Sequence, residues 1–135
     1  MALFGKHDRR KLAQRYIAAL NAQDLDAIRA AVADDITALD ATGASLSGKD
    51  AYMEACERFF ALDDQFRFEV TEYTPRGDVV LLRGHTRSRH PQLCTDELWH
   101  LRFDGDLLCE WQSFAHSNPV PLIKLLAGQT KPASA

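Results

Sequence analysis

Leu12, Ala13, Tyr16, Ile17 and Leu20 recur at helical spacing, with Arg9, Lys11, Gln14 and Arg15 on the remaining angles, so the pattern predicts a first amphipathic helix. Asn21 is placed to end it. Asp24 can cap a shorter second helix whose inward positions are Leu25, Ile28, Ala31 and Val32. Alternation then takes over in Ile36-Thr37-Ala38-Leu39-Asp40, a short strand with Ile36, Ala38 and Asp40 on one face. Thr42, Gly43 and Ser45 read as a turn, and Ser47-Gly48-Lys49-Asp50 as a capping box that starts a third helix. Its apolar stripe pairs Ala51 with Tyr52, Ala55 with Cys56 and Phe59 with Phe60 until Asp63-Asp64, which makes it the longest helix expected.

From Gln65 the period is two: Phe66, Phe68 and Val70 face one way, Arg67, Glu69 and Thr71 the other. A turn at Pro75-Arg76-Gly77-Asp78 leads to a strand from Val79 to about His90, and Pro91-Gln92 turns the chain into a strand from about Cys94 to Phe103. Asp104-Gly105-Asp106 carries hairpin chemistry before a last strand, Leu107 to Phe114. These strands are expected to pair antiparallel as a meander. Leu122 to Leu126, after Pro119 and Pro121, is expected to dock as a short helix or on a partner, and residues 128–135 to fray. Helices first and a curved antiparallel sheet second give an α+β class, in one domain over residues 1–127.

Composition narrows the function classes. Sixteen basic against nineteen acidic side chains in 135 residues leave a net charge of -3, which provides no field to draw nucleic acid or an anionic membrane. Cys56, Cys94 and Cys109 show no Cys-x-x-Cys spacing and read as buried thiols in a reducing compartment. The first residues turn charged at Lys6 without a long apolar run, and nowhere does an apolar stretch approach the roughly 18 residues of a membrane span, so a cytoplasmic protein is expected.

No nucleophile elbow, phosphate loop or dinucleotide fingerprint occurs. His7, His85, His90, His100 and His116 lack the close pairing of a metal site, so no metal is expected. Arg83, His85, Arg87 and Arg89 share one strand face, read as an outer face neutralised by acidic partners in preference to an anion-binding stripe. Asp40 has two readings. At the end of an apolar row, desolvation would tune it toward a general base, while beside Gly43 it would serve as a turn aspartate accepting backbone hydrogen bonds. Tyr16, on the inward stripe of the first helix, is either a core tyrosine or a phenol that donates to a developing oxyanion.

Gln14-Arg15-Tyr16-Ile17-Ala18-Ala19-Leu20-Asn21-Ala22-Gln23-Asp24-Leu25-Asp26, followed by Ala33-Asp34-Asp35, resembles bacterial ketosteroid isomerases and their SnoaL-like polyketide cyclase relatives in the nuclear transport factor 2-like superfamily. The Ser47-Gly48 helix start and His100-Leu101-Arg102-Phe103-Asp104-Gly105 extend the likeness over most of residues 9–114. The resemblance implies a cone in which three helices close one side of a strongly curved sheet around an apolar pocket. It also implies a catalytic pair: Asp40 as the base that moves a proton between carbons of an enolisable ketone, and Tyr16 as donor to the dienolate oxygen. The third isomerase position, a protonated aspartic acid, falls on Trp99, a bulkier neutral donor, so the isomerase triad is incomplete.

By the same alignment Trp99, Glu97, Leu101 and Phe103 share an inward face, with Leu82, Gly84, Glu110, Gln112 and Phe114 lining the same cone. The substrate-binding set expected is Trp99, Cys56, Phe59, Phe60, Leu82, Glu97, Leu101 and Phe114. Glu97 or Glu110 would stand in for the missing acid if inward, and a register shifted by one would instead bring His100, Cys109 or Trp111 into the pocket. The resemblance implies no cofactor, an apolar small-molecule ligand, and a homodimer through the open sheet face. Two readings result: a cofactor-free enzyme of isomerase or cyclase type, and a binding or assembly module that keeps the cone without the chemistry.

Overall fold

Asp8 accepts the Lys11 amide at 3.2 Å and starts the first helix, α1 (Arg9–Ala22), in a computed structural model that describes residues 8–115 and 123. The cap satisfies one of the first-turn amides that every helix leaves open. α1 buries Ala13, Tyr16, Ile17 and Leu20, the predicted stripe. It runs past Asn21 and turns off at Gln23, a left-handed residue with φ of 53°. Asn21 has a different task. Its amide donates to the Phe68 carbonyl at 3.0 Å and its oxygen accepts the Phe68 N–H at 2.8 Å, clamping α1 to the sheet. Asp24 caps α2 (Leu25–Ala31) as expected, accepting from Ala27 at 3.1 Å.

β1 (Val32–Leu39) begins earlier than the predicted strand, because Val32 and Ala33 are buried as strand residues. Where a turn was expected, Ser45–Ser47 forms a short strand, β2, against it. Ser47 pairs with Thr37 there, so its side chain caps nothing, and α3 (Lys49–Leu62) starts after Gly48 without a capping box. α3 equals α1 at 14 residues each, so it is not longer. It buries Tyr52, Met53, Cys56, Phe59 and Phe60, while Ala51 is exposed.

β3 (Arg67–Arg76), β4 (Val79–Arg87), β5 (Asp96–Asp104) and β6 (Leu107–Ala115) form the expected antiparallel meander, with a 3-10 turn at Pro91–Leu93 before β5. The described residues form one six-stranded sheet in the order β2-β1-β6-β5-β4-β3. It is mixed, not antiparallel throughout: β1 lies parallel to β6, Ala38 opposite Trp111, because the whole meander intervenes and returns its last strand in the direction of the first. The helices share one core with the inward residues of the sheet, as the α+β reading expected.

Two irregularities aim side chains. Gly84 faces a bulge between Val70 and Glu72, where a Cβ would come 2.1 Å from the Glu69 carbonyl oxygen. Between Phe103↔Leu108 and Arg102↔Glu110, β6 carries one extra residue, Cys109, which inverts the facing of everything after it.

The basic face of β4 is neutralised within the fold, with Arg83 3.6 Å from Glu72 and Arg87 3.4 Å from Glu69; the strand ends at Arg87, short of the expected His90, and Arg89 beyond it lies 3.2 Å from buried Asp63. Cys56 and Cys109 are buried thiols, but Cys94 is exposed because the Pro91–Leu93 turn buries Leu93 and leaves its neighbour outside. The expected docking stretch Leu122–Leu126, apart from Ile123, and the tail 128–135 lie outside the described residues, as do His7 and His116. Among the described residues no helix is long and apolar enough to cross a membrane.

Candidate functional site

An apolar pocket of about 120 Å³, open on one side, lies between α3 and the inner face of the sheet. Its aromatic wall is continuous. Phe59 meets Phe66 edge-on with centroids 4.5 Å apart, Phe66 meets Phe68 at 5.0 Å, and Phe68 meets Trp99 at 5.6 Å and Trp111 at 5.7 Å. Cys56 and Phe60 complete the α3 side. Burial pushes the Cys56 thiol up to about 12, so it is a wall atom and not a nucleophile at neutral pH. No lysine, arginine or histidine lines the cavity among the described residues.

Three groups bring proton chemistry to this apolar space: Asp40, Glu97 and Tyr52. Asp40 follows β1 with only 6% of its surface exposed. Its Oδ1 accepts the Thr42 amide at 2.9 Å, the Thr42 hydroxyl at 2.7 Å and the Ala44 amide at 3.2 Å, and its Oδ2 accepts the Ile123 amide at 2.9 Å. It is therefore a turn aspartate, as one of its two readings had it, and it also lines the cavity. Glu97 points inward from β5, beside Trp99. Its Oε2 accepts the Thr95 hydroxyl at 2.5 Å, and that threonine is tied to Thr86, whose hydroxyl accepts the Thr95 amide at 2.9 Å. Burial pushes the Glu97 carboxyl above its ordinary range, against the Thr95 hydroxyl and the Trp99 indole, which favour the charged form.

Tyr16 stands one layer behind. It is 2% exposed in the core, and its hydroxyl shares a hydrogen bond with that of Tyr52, which faces the cavity. Burial holds both phenols well above their usual range; Tyr52 adds to the shift at Tyr16, and Cys56 adds to that at Tyr52, while the bond from Tyr16 lowers it. Sequence reading placed Tyr52 on the buried stripe of α3 without giving it a function; its spacing of four from Cys56 was the available signal.

Of the residues expected to line the pocket, Cys56, Phe59, Phe60, Glu97 and Trp99 do so. Leu82 and Leu101 face inward but lie in solid core, 1% and 0% exposed. Phe114 is on the opposite face, 45% exposed, paired with Leu98. Glu110 and Gln112 share that outer parity, and Glu110 pairs with Arg102 at 3.0 Å. The extra residue at Cys109 is the cause: it sends Phe114 out and brings Trp111 and Ser113 in, so β6 is displaced by one while β5 is not.

A family comparison agrees with this architecture: the description of the SnoaL-like domain matches residues 13–111. The chain belongs to the SnoaL-like domain family. No curated protein matches it. Among solved structures, it is similar to an uncharacterised cystatin-fold protein from Novosphingobium aromaticivorans, 24% identical with a TM-score of 0.71, covering 80% of this chain and 98% of that one. A protein provisionally named a SnoaL-like polyketide cyclase, from Shewanella denitrificans, is 19% identical at a TM-score of 0.73, with 79% and 89% covered. A third, a protein with a ketosteroid isomerase-like fold from Catenulispora acidiphila, was solved in complex with trimethylamine; it is 19% identical at a TM-score of 0.68, with 76% and 83% covered. The shared fold is nuclear transport factor 2-like.

Proposed function

We propose that this SnoaL-like protein is a cofactor-free enzyme that moves a proton on a small carbonyl compound held in the cone cavity. The observation that carries the reading is the meeting of two carboxyls and a phenol on one apolar cavity, at Asp40, Glu97 and Tyr52. Proton transfer beside a carbonyl needs a base, a donor to the developing oxyanion, and exclusion of water. Tyr52, at the cavity wall and hydrogen-bonded to Tyr16 behind it, takes the donor role that the resemblance gave to Tyr16.

Cavity size limits the substrate. A cavity of about 150 Å³ holds a benzene ring, so a space of about 120 Å³ suits a single ring or a short chain better than a four-ring steroid. The small molecule bound by the Catenulispora relative supports a ligand of that order. The reading is tested by deuterium exchange at the α-carbons of cyclohexanone, cyclohex-2-enone and pentane-2,4-dione in heavy water, followed by proton NMR. Wild-type protein is expected to exchange at least one of them faster than buffer; a panel without acceleration contradicts the enzyme.

The second reading, a binding module without chemistry, is favoured by one feature: Asp40 already accepts four hydrogen bonds. It predicts ligand binding without exchange. In either case we propose that a second copy covers the outer sheet face, where Leu81, Leu98 and Phe114 are 40%, 46% and 45% exposed. Sedimentation should find a dimer, and Leu98→Glu should leave a monomer.

A further inference from the structure

The two cavity carboxyls differ in what they have left to offer. A carboxylate has about four acceptor positions in all, two on each oxygen. On Asp40, three donors crowd Oδ1 and a fourth occupies Oδ2. These bonds hold the 40–44 turn closed and attach Ile123 at the cavity edge. Taking a proton there would cost part of that network, since protonated oxygen accepts fewer bonds than carboxylate oxygen.

Glu97 is built differently. Its Oε2 accepts one hydroxyl, from Thr95, at 2.5 Å, and the Trp99 indole lies close enough to stabilise its charge. Acceptor capacity remains on the carboxyl, and the residue lines both the main cavity and the small adjoining pocket of about 40 Å³ that it shares with Asp40. Its position is fixed twice over. Thr95 anchors one oxygen and is held by Thr86, which is 4% exposed and donates to the Leu93 carbonyl at 2.6 Å. The backbone is held between Gly84 and Ala115 in neighbouring strands.

We infer that Glu97, and not Asp40, is the carboxyl that carries the proton, with Asp40 serving as a positioning residue that closes the turn over the cavity; this rests on the reading of the cavity as a proton-transfer site. In the step, a Glu97 oxygen takes the α-proton as the C–H bond breaks. The C–H electron pair becomes the enolate C=C bond, and the carbonyl π pair moves to oxygen, facing the Tyr52 hydroxyl. Return of the same proton to another carbon restores Glu97. No oxidant or further reactant enters. Desolvation of Glu97 strengthens its carboxylate as a base once ionised.

Labelling with cyclohexene oxide tests the assignment without a known substrate. A carboxyl oxygen with free capacity attacks an epoxide carbon, the ring C–O bond breaks, and the ring oxygen takes a proton from water to give a hydroxy ester. Peptide mass mapping of the intact protein is expected to find the adduct on Glu97 and none on Asp40. Cyclohexanone should protect, and Glu97→Gln, checked for folding by circular dichroism, should lower incorporation at least tenfold. Glu97→Asp serves as a second variant, since its shortened carboxyl should label more slowly without loss of the fold. An adduct on Asp40 overturns the assignment, and so does absence of any adduct while cyclohexanone quenches tryptophan fluorescence. The enzyme reading fails separately, if the ketone panel shows no exchange while Glu97 still takes the label.

Discussion

The hydroxyls of Tyr16 and Tyr52 share a hydrogen bond in the core, and only Tyr52 reaches the cavity. A helix α1 residue is thereby coupled to the site through a helix α3 residue. Tyr52→Phe is expected to weaken binding of a cyclic ketone and to destabilise the fold by about 1–2 kcal/mol, because it also leaves the Tyr16 hydroxyl buried without its partner. Tyr16→Phe should cost similar stability with a smaller effect on binding. Urea denaturation and a fluorescence titration of each variant separate the two terms.

Asp63 supplies an acid-sensitive latch. It is 0% exposed at the end of α3 and accepts the Ser88 hydroxyl at 2.5 Å, the Gln65 amide at 2.8 Å, the Arg89 amide at 3.1 Å and the Arg89 guanidinium at 3.2 Å. Burial works against its charge, but these donors prevail and hold the carboxyl at about 2. A folded value below the unfolded one means stability that is complete above about pH 4 and lost as pH falls through about 2. Asp63→Asn should flatten the thermal stability profile across that window and lower stability at pH 7 by about 2–3 kcal/mol.

Glu97 has the opposite sign. Its raised folded value favours the protonated form, so its contribution is present below the unfolded value and declines as pH rises through the folded one. Glu97→Gln is expected to raise the melting temperature at pH 8 and to leave it nearly unchanged at pH 4. A melting temperature lowered at pH 8 would contradict the desolvation of this side chain.

Gly84 has no room for a side chain, since a Cβ would meet backbone at 2.1 Å from the Glu69 oxygen and 2.9 Å from the Val70 Cα. Backbone cannot rotate aside as a flexible side chain can, so Gly84→Ala should cost about 3 kcal/mol, the upper range of overpacking, and distort the strand that presents Phe68. Denaturant unfolding measures the loss.

What was legible in the sequence was what periodicity carries. The apolar stripe of α3 placed Cys56, Phe59 and Phe60 on the cavity side, while the facing of Glu97 and Trp99 on β5 came from the family resemblance, since alternation alone leaves two registers open. Phe114 was misplaced because strand parity was carried across Cys109, and a bulge leaves no mark in a hydrophobic pattern. The parallel pairing of β1 with β6 is a contact between the ends of the fold, which no local window contains. Asp40 was expected as the base and Tyr16 as the donor; Asp40 lines the cavity and Tyr16 does not, because which hydroxyl faces the space and how many donors occupy a carboxylate are properties of three-dimensional packing.

Both Trp99 and Trp111 line the cavity, so either indole reports its filling. Intermolecular NOEs between cyclohex-2-enone and labelled protein locate the ligand and so test the site most directly. Contacts from the ring protons to Trp99, Phe68 and Phe66 are the predicted result. Contacts confined to Leu98 and Phe114 on the outer sheet face would contradict the cavity as the functional site.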